Sequence, residues 1–139
     1  MKMKRIIGIR GARLRSQRDL CDIRIDKAGR IEKVGPRLRL PSGRNVLDAK
    51  GQLVLPSFID PHLHLDLAYS LDLVRPNKSG TLIEAIDHWS TAKRILTASN
   101  VCERAIRAIH AEVGFGTGHI RTHVDVATGA GLRLAEGVL

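Results

Sequence analysis

The sequence His62-Leu63-His64 follows an apolar run at residues 53–60, which contains Pro56 and is separated from His62 by Pro61. Residues 53–60 are almost continuously apolar, which is typical of a strand covered on both faces in a parallel sheet, and Pro56 and Pro61 disfavour a helix there. Because side chains alternate along a strand, His62 and His64 are expected to point the same way. Two imidazoles at the end of a buried strand form half of a metal site, although two incidental histidines would give the same short pattern.

Two carboxylates flank this pair at the same strand parity. Asp60 precedes His62 by two residues and Asp66 follows His64 by two. Each is a candidate acceptor for an imidazole N–H, which is how outer groups orient metal-binding histidines. An Asx turn or a helix cap is the alternative role for both.

A second polar constellation lies on the predicted strand 119–126, which alternates with period two. Its apolar positions are expected to pack against helices, and the opposite face carries Arg121, His123 and Asp125. Three titratable side chains that share one buried direction are costly unless they pair or bind something. The polar face therefore points either into a barrel lumen or cleft, or to solvent.

Two helices are predicted between these strands. The first spans residues 81–96 and begins with a capping box of Thr81 and Glu84; the second spans residues 101–113 and begins at Asn100. The apolar face of the second helix is predicted to consist of Cys102, Ile106, Ile109 and Val113. His88 and His110 are expected on helix surfaces, His119 is expected in a loop, and a further helix is expected to begin near residue 132.

The first fifty residues are strongly basic, with 15 Lys and Arg against 5 Asp and Glu, within a chain of net charge +9. They predict strands at residues 4–10 and a hairpin of residues 22–26 and 31–34 around a glycine turn. Their few isoleucines and valines are too few to bury a core alone. Binding of nucleic acid is disfavoured because no aromatic side chain lies in this half.

Composition limits the remaining function classes. Hydrophobic residues make up 43% of the 139 residues and charged residues 27%, which is typical of a soluble globular domain. We expect neither a signal peptide nor a membrane span, and two widely spaced cysteines fit reduced thiols in the cytoplasm. Phosphate-binding glycine loops, a nucleophile elbow and the small-deaminase zinc pattern are absent from the sequence.

Three ordered motifs carry a family resemblance. The segment NVLDAKGQLVLPSFIDPHLHLDLAYS resembles the barrel entry of the amidohydrolase superfamily, and PHLHLD, NKSGTLIEAIDHW and HIRTHVDV resemble its cytosine deaminase branch. The resemblance implies an α/β fold. Residues 1–52 would be part of a small β-sandwich, and residues 53–139 would be an incomplete TIM barrel (β/α)8 with its first βα unit, second strand and the start of the next helix.

The same resemblance implies particular roles. His62 and His64 would ligate one divalent metal ion, zinc or iron, and Leu82 would lie beside a heterocyclic substrate. His123 and Asp125 would support the metal site. The activity implied is hydrolysis of a C–N bond in a ring such as cytosine, with release of ammonia or an amine.

The resemblance also predicts what the chain lacks. The family's later metal ligands and its proton-transferring glutamate would lie beyond residue 139, so no catalytic residue is assigned and we expect the chain alone to be inactive. A complementing chain or a homo-oligomer of the complete enzyme are the predicted partners, and no membrane is expected. The alternative is a non-catalytic basic module that binds nucleic acid or a protein through residues 1–50.

Overall fold

The computed structural model of the chain describes residues 5–15, 17–43 and 45–139. Contacts divide it into two compact units, of which one ends at Pro56 and the other covers Ser57–Leu139. Across the described ranges, no helix combines the length and the hydropathy needed to cross a bilayer.

The first unit is a four-stranded sheet. Its strands are β1 (Gly8–Ala12), β2 (Cys21–Ile25), β3 (Ile31–Gly35) and β4 (Val46–Asp48), in the order β3-β2-β1-β4. Neighbouring strands are antiparallel except for the parallel pair β1–β4. The buried core is small and consists of Ala12, Cys21, Ile23 and Ala49.

The predicted hairpin is confirmed as the antiparallel pair of β2 and β3. Gly29 occupies its turn with a φ of 81°, a backbone conformation that favours glycine. The strand predicted over residues 4–10 begins instead at Gly8, and Lys4 lies outside the described residues.

The second unit contains two parallel strands and three helices. These are β5 (Phe58–His64), α1 (Leu82–Ala92), α2 (Ala98–Gly114), β6 (Thr117–His123) and α3 (Arg133–Val138), with a 3-10 turn at Leu71–Leu73. β5 and β6 pair in parallel, and His64 lies opposite His123. The predicted strand–helix–strand order is therefore confirmed, and the carboxyl ends of both strands meet at one edge.

The prediction that residues 53–60 form the strand was wrong in its bounds. β5 begins at Phe58 and continues through Pro61 to His64, because it extends only where β6 offers a partner, and β6 begins at Thr117 opposite Phe58. The earlier part of the apolar run contributes one isolated bridge, between Leu53 and Arg13. Phe58 and Ile59 are exposed within Ser57–Leu139, so the expected cover on both faces is not supplied there.

α1 begins as predicted but ends early. The Thr81 hydroxyl caps it by accepting from the Glu84 amide N–H. The Glu84 carboxylate does not complete the expected capping box, because it accepts from the amide N–H groups of Lys78 and Ser79 instead. The helix ends at Ala92 rather than near residue 96.

α2 was predicted with the wrong cap. Thr97, not Asn100, caps the helix by accepting from the Asn100 amide N–H. The Asn100 side chain is used elsewhere, since its carbonyl accepts from Nε of Arg104 at 3.0 Å.

The predicted buried face of α2 was also wrong. The face described by Cys102, Ile106, Ile109 and Val113 is exposed, and the buried residues are Val101, Arg104, Ala105 and Ala108. Small side chains allow the close approach that packing demands here: Ala105 and Ala108 cluster with Leu65 of the segment after β5.

β6 was predicted two residues too late. His119, expected in a loop, lies within β6 and pairs with Ile59. Asp125 lies two residues beyond the strand. Val124 packs on the core cluster of Leu96, Val101, Ala130 and Leu134, and this cluster joins α2 to α3. The helix predicted to begin near residue 132 is α3, which begins at Arg133.

Candidate metal centre

Three histidine rings meet at the carboxyl ends of the two parallel strands. The ring centroids of His62 and His64 are 5.4 Å apart, and those of His64 and His123 are 5.7 Å apart. Two imidazoles bound to one tetrahedral ion at ordinary metal–nitrogen distances would have centroids roughly 5 Å apart. The spacing of the first pair therefore suits a shared cation.

His123 is related differently to His62. Their rings stack, with centroids 4.0 Å apart and planes 25° from parallel. Desolvation, together with the imidazole of His62 and the guanidinium of Arg121, lowers the pKa of His123. His123 is therefore kept neutral in the pH range where a free histidine begins to charge, and it supports the His62 ring by contact.

The two flanking carboxylates take different roles. The Asp60 carboxylate accepts from the backbone N–H of His62 at 2.9 Å, which is the local Asx-turn alternative of the sequence analysis. Asp66 is fully buried, and its Oδ1 lies 3.5 Å from Nδ1 of His64. The acceptor role for an imidazole therefore suits Asp66 better than Asp60.

Asp125 is held in place by α1. Its Oδ2 accepts from the indole Nε1–H of Trp89 at 2.9 Å and lies 3.8 Å from Nζ of Lys93. Its backbone N–H donates to Oδ2 of Asp66 at 2.9 Å. Sequence reasoning named Asp125 but missed Trp89 and Lys93, because both precede Asp125 by more than thirty residues.

The donor set fits a divalent cation. Ligand atoms of His64, Asp66 and Asp125 lie within 4.8 Å of one another. Nδ1 of His64, Oδ1 of Asp66 and Nδ1 of His123 are buried without a hydrogen-bond partner among the described residues. Imidazole nitrogen and carboxylate oxygen are donors that zinc and iron both accept.

A cavity of about 510 Å³ adjoins this cluster. His64 and Asp125 line it on the strand side, and α1 contributes His88 and Trp89. His88 was expected to be a plain surface residue; instead its Nδ1 is hydrogen-bonded to the carbonyl oxygen of Arg75 at 3.0 Å, so the ring is fixed at the cavity wall. The volume is within the range of small-molecule sites.

The remaining predicted residues are more peripheral. Leu82 begins α1, is 74% exposed and is not among the side chains that line the cavity, so its contact with a substrate stays a prediction. His110 is exposed on α2 and Arg121 is exposed on β6.

Solved proteins share this fold. The 5-methylcytosine deaminase of Klebsiella pneumoniae, solved with 5-fluorocytosine, superimposes with a TM-score of 0.82 at 34% identity, covering 94% of this chain and 32% of that one. The N-isopropylammelide isopropylaminohydrolase of Burkholderia multivorans gives a TM-score of 0.75 at 32% identity with the same coverage.

Sequence comparison agrees with the structural one. The N-isopropylammelide isopropyl amidohydrolase of Pseudomonas sp. is 32% identical over 135 residues, which are 94% of this chain and 33% of that protein. This chain thus spans about a third of the length of these relatives. The profile of the Amidohydrolase family matches residues 45–138, a segment that contains both histidine-bearing strands and most of the chain. With its three clustered histidines inside that match, this chain belongs to the amidohydrolase family.

Proposed function

We propose that the chain supplies the histidine pair and part of the substrate cavity of an enzyme that hydrolyses a C–N bond of a nitrogen heterocycle. The observation that carries this proposal is the meeting of His62, His64 and His123 at the strand ends beside a 510 Å³ cavity. The solved relatives are, by their names, a 5-methylcytosine deaminase and an N-isopropylammelide isopropylaminohydrolase. Release of ammonia or an amine would follow from the same kind of reaction.

In this proposal His62 and His64 hold one divalent cation, zinc or iron. The 5.4 Å between the centroids of the two rings supports it, because two imidazoles on one tetrahedral ion have a similar spacing. A bound cation supplies Lewis acidity that activates water for hydrolysis. His123 supports the pair by stacking on His62, and Asp125 is fixed at the cavity edge by Trp89.

The cavity suits a small planar ring. Its wall is mainly apolar, with Leu71, Val74 and Ile86 among its members, while His64 and Asp125 provide polar groups on one side. An apolar slot with few polar groups orients a flat ligand by stacking and a few hydrogen bonds. Leu82 is proposed as a further contact at the entrance side of α1.

We further propose that residues 53–139 are the opening of a TIM barrel and residues 1–52 part of a β-sandwich. The parallel pair β5–β6 supports this, because a parallel pair requires further strands to cover its edges. Two histidines also fall short of the three protein ligands of most catalytic zinc sites. The remaining ligands and a proton-transferring carboxylate would come from polypeptide outside this chain, so the chain alone would not turn over substrate.

Cobalt(II) titration of the 139-residue chain, followed by visible absorption and calorimetry, tests the metal pair. We expect one weak site, which His64→Ala and His62→Ala each abolish. His110→Ala is the matched control, because His110 is exposed on α2, and it should leave the titration unchanged. Equal binding by the His64→Ala variant and the parent chain would contradict the proposal.

A chimera tests the catalytic part. Residues of this chain would replace the aligned third of the Klebsiella pneumoniae 5-methylcytosine deaminase, and ammonia release and metal content would be measured. We expect turnover that requires His62 and His64 but not His110. A folded, metal-loaded chimera whose activity survives His64→Ala would refute the assigned role, and strong salt-dependent nucleic-acid binding by the parent chain would favour the basic-module alternative.

A further inference from the structure

The side chain of Asp66 is unusual for a carboxylate in a small unit. It is 0% exposed, whereas aspartate is almost never fully buried unless it is paired. One oxygen, Oδ2, accepts from the backbone N–H of Asp125 at 2.9 Å. The other, Oδ1, has no hydrogen-bond partner in the described parts of the chain and faces Nδ1 of His64 at 3.5 Å, an atom that is itself buried and unpartnered.

A buried guanidinium compensates the charge of Asp66. Arg104 of α2 is 5% exposed, and its Nη1 donates to the backbone carbonyl oxygens of Asp66 and Ala68 at 2.8 and 2.6 Å. Burial lowers the pKa of Arg104, and the nearby Asp66 carboxylate opposes that change. The turn that carries Asp66 is therefore fixed from the helix side, with its carboxylate directed at the strand ends.

The position of the Asp66 carboxylate, 3.5 Å from Nδ1 of His64, bears on which nitrogen of that ring carries the proton. An ionised carboxylate can only accept hydrogen bonds, so an imidazole nitrogen that faces it must be protonated. A proton on Nδ1 leaves the lone pair of Nε2 free for a cation. The other nearby carboxylates are already used: Asp60 binds the backbone of His62, and Asp125 binds Trp89 and approaches Lys93.

We propose that Asp66 is a positioning residue that holds His64 in the Nδ1–H tautomer and ties it to the end of β6 through the Asp125 amide. The part that concerns the cation rests on the proposed function above. The part that concerns the tautomer does not, since it follows from contacts within the metal-free chain.

The test is the nitrogen NMR spectrum of the histidines. In the 139-residue chain with ¹⁵N-labelled histidine, two-bond correlations distinguish a protonated nitrogen from a bare one. We expect His64 to carry its proton on Nδ1 at a pH where the ring is neutral. A proton on Nε2 in the parent chain would overturn the proposal, and this measurement needs no variant to fold.

Asp66→Asn supplies the perturbation. The amide oxygen can still accept from the Asp125 N–H, which turns the amide NH₂ towards His64 and favours the Nε2–H tautomer. Asp60→Asn is the matched control, because Asp60 contacts only the backbone N–H of His62 in the described structure, and it should leave the His64 tautomer unchanged. A folded Asp66→Asn chain that keeps the parent tautomer would overturn the proposal.

Cobalt(II) titration of the same samples separates the two hypotheses. We expect Asp66→Asn to weaken binding by about 10- to 100-fold, the usual effect of removing a group that orients a metal ligand. The parent chain could fail to bind cobalt and still show the Nδ1–H tautomer, with that tautomer lost in Asp66→Asn. This result would refute the proposed metal pair and support the role of Asp66. Equal cobalt affinity of the parent and a tautomer-switched variant would overturn the link between Asp66 and the cation.

Discussion

Replacing Leu134 with alanine should strongly destabilise the second unit. Leu134 is 0% exposed and belongs to the cluster of Leu96, Val101 and Ala130 that joins α2 to α3. The change removes three buried carbons, and at about 0.8 kcal/mol each their transfer contributes roughly 2.4 kcal/mol. The space left behind adds to this, so we expect a loss of about 2.5–5 kcal/mol in the free energy of unfolding.

Urea denaturation followed by tryptophan fluorescence measures this loss. Trp89 is the single tryptophan of the chain and packs against the same cluster, so its emission reports on this unit. Leu132→Ala is the control, because Leu132 lies two residues away and is 60% exposed; its effect should be below about 0.5 kcal/mol. Similar losses for the two variants would show that α3 does not pack as described and would refute the reasoning.

Two further predictions concern helix packing and capping. Gly137→Ala should destabilise the same unit by about 1–3 kcal/mol, because a Cβ there would lie 2.6 Å from both the Ala98 carbonyl oxygen and Cβ of Val101. Urea denaturation measures the loss, and Glu136→Ala is the control because Glu136 is exposed on α3. Hydrogen bonds from the Ser79 side chain and backbone lower the pKa of Glu84 to about 2 from an ordinary 4.5. Because the pKa of Glu84 is lower in the folded state, its carboxylate stabilises the native state above about pH 4.5, and this stabilisation is lost as the pH falls towards 2. The difference in urea midpoint between the parent and Glu84→Gln should therefore shrink over that interval. A difference that stays constant from pH 6 to pH 2 would contradict the hydrogen bonds assigned to the Glu84 carboxylate.

Local signals in the sequence predicted the elements better than their ends. The Thr81 cap and the glycine turn at Gly29 depend on groups within a few residues, and both are confirmed. The cap of α2 was assigned to Asn100, whereas Thr97, three residues earlier, caps the helix. Within α2 the Asn100 side chain instead accepts from Nε of Arg104, one turn further along the helix.

The error on α2 has a different cause. Periodicity identifies an apolar stripe but does not tell which neighbour covers it. In α2 the stripe that contains Ile106 and Ile109 is exposed, and the buried alanines Ala105 and Ala108 pack against Leu65. The sequence offered both faces, and the choice depends on the position of β5.

The sequence named the three histidines, Asp66 and Asp125 of the candidate site, but not the contacts that hold the carboxylates in place. Alternation along a strand brings His62 and His64 to one end, and the spacing of the two strands adds His123. The Trp89–Asp125 bond and the burial of Asp66 by Arg104 join residues more than thirty positions apart, and no spacing rule connects them. Those contacts are set by how α1 and α2 pack on the strands.

The exposed apolar surface and the buried polar cluster of the second unit are both unfavourable for a unit that folds alone. Phe58, Ile59 and Phe115 are more than half exposed at the start of the parallel pair, an arrangement that favours association. At the other end of the same strands, the buried Oδ1 of Asp66 and Nδ1 of half-buried His64 have no hydrogen-bond partner among the described residues, which disfavours the folded state. A unit optimised only for its own stability would reverse both features. Strands that continue the sheet would cover the first feature, and a cation bound beside His64 would offset the buried charge of Asp66 at the second, so both features support the proposed metal centre of a larger barrel over an independent basic module.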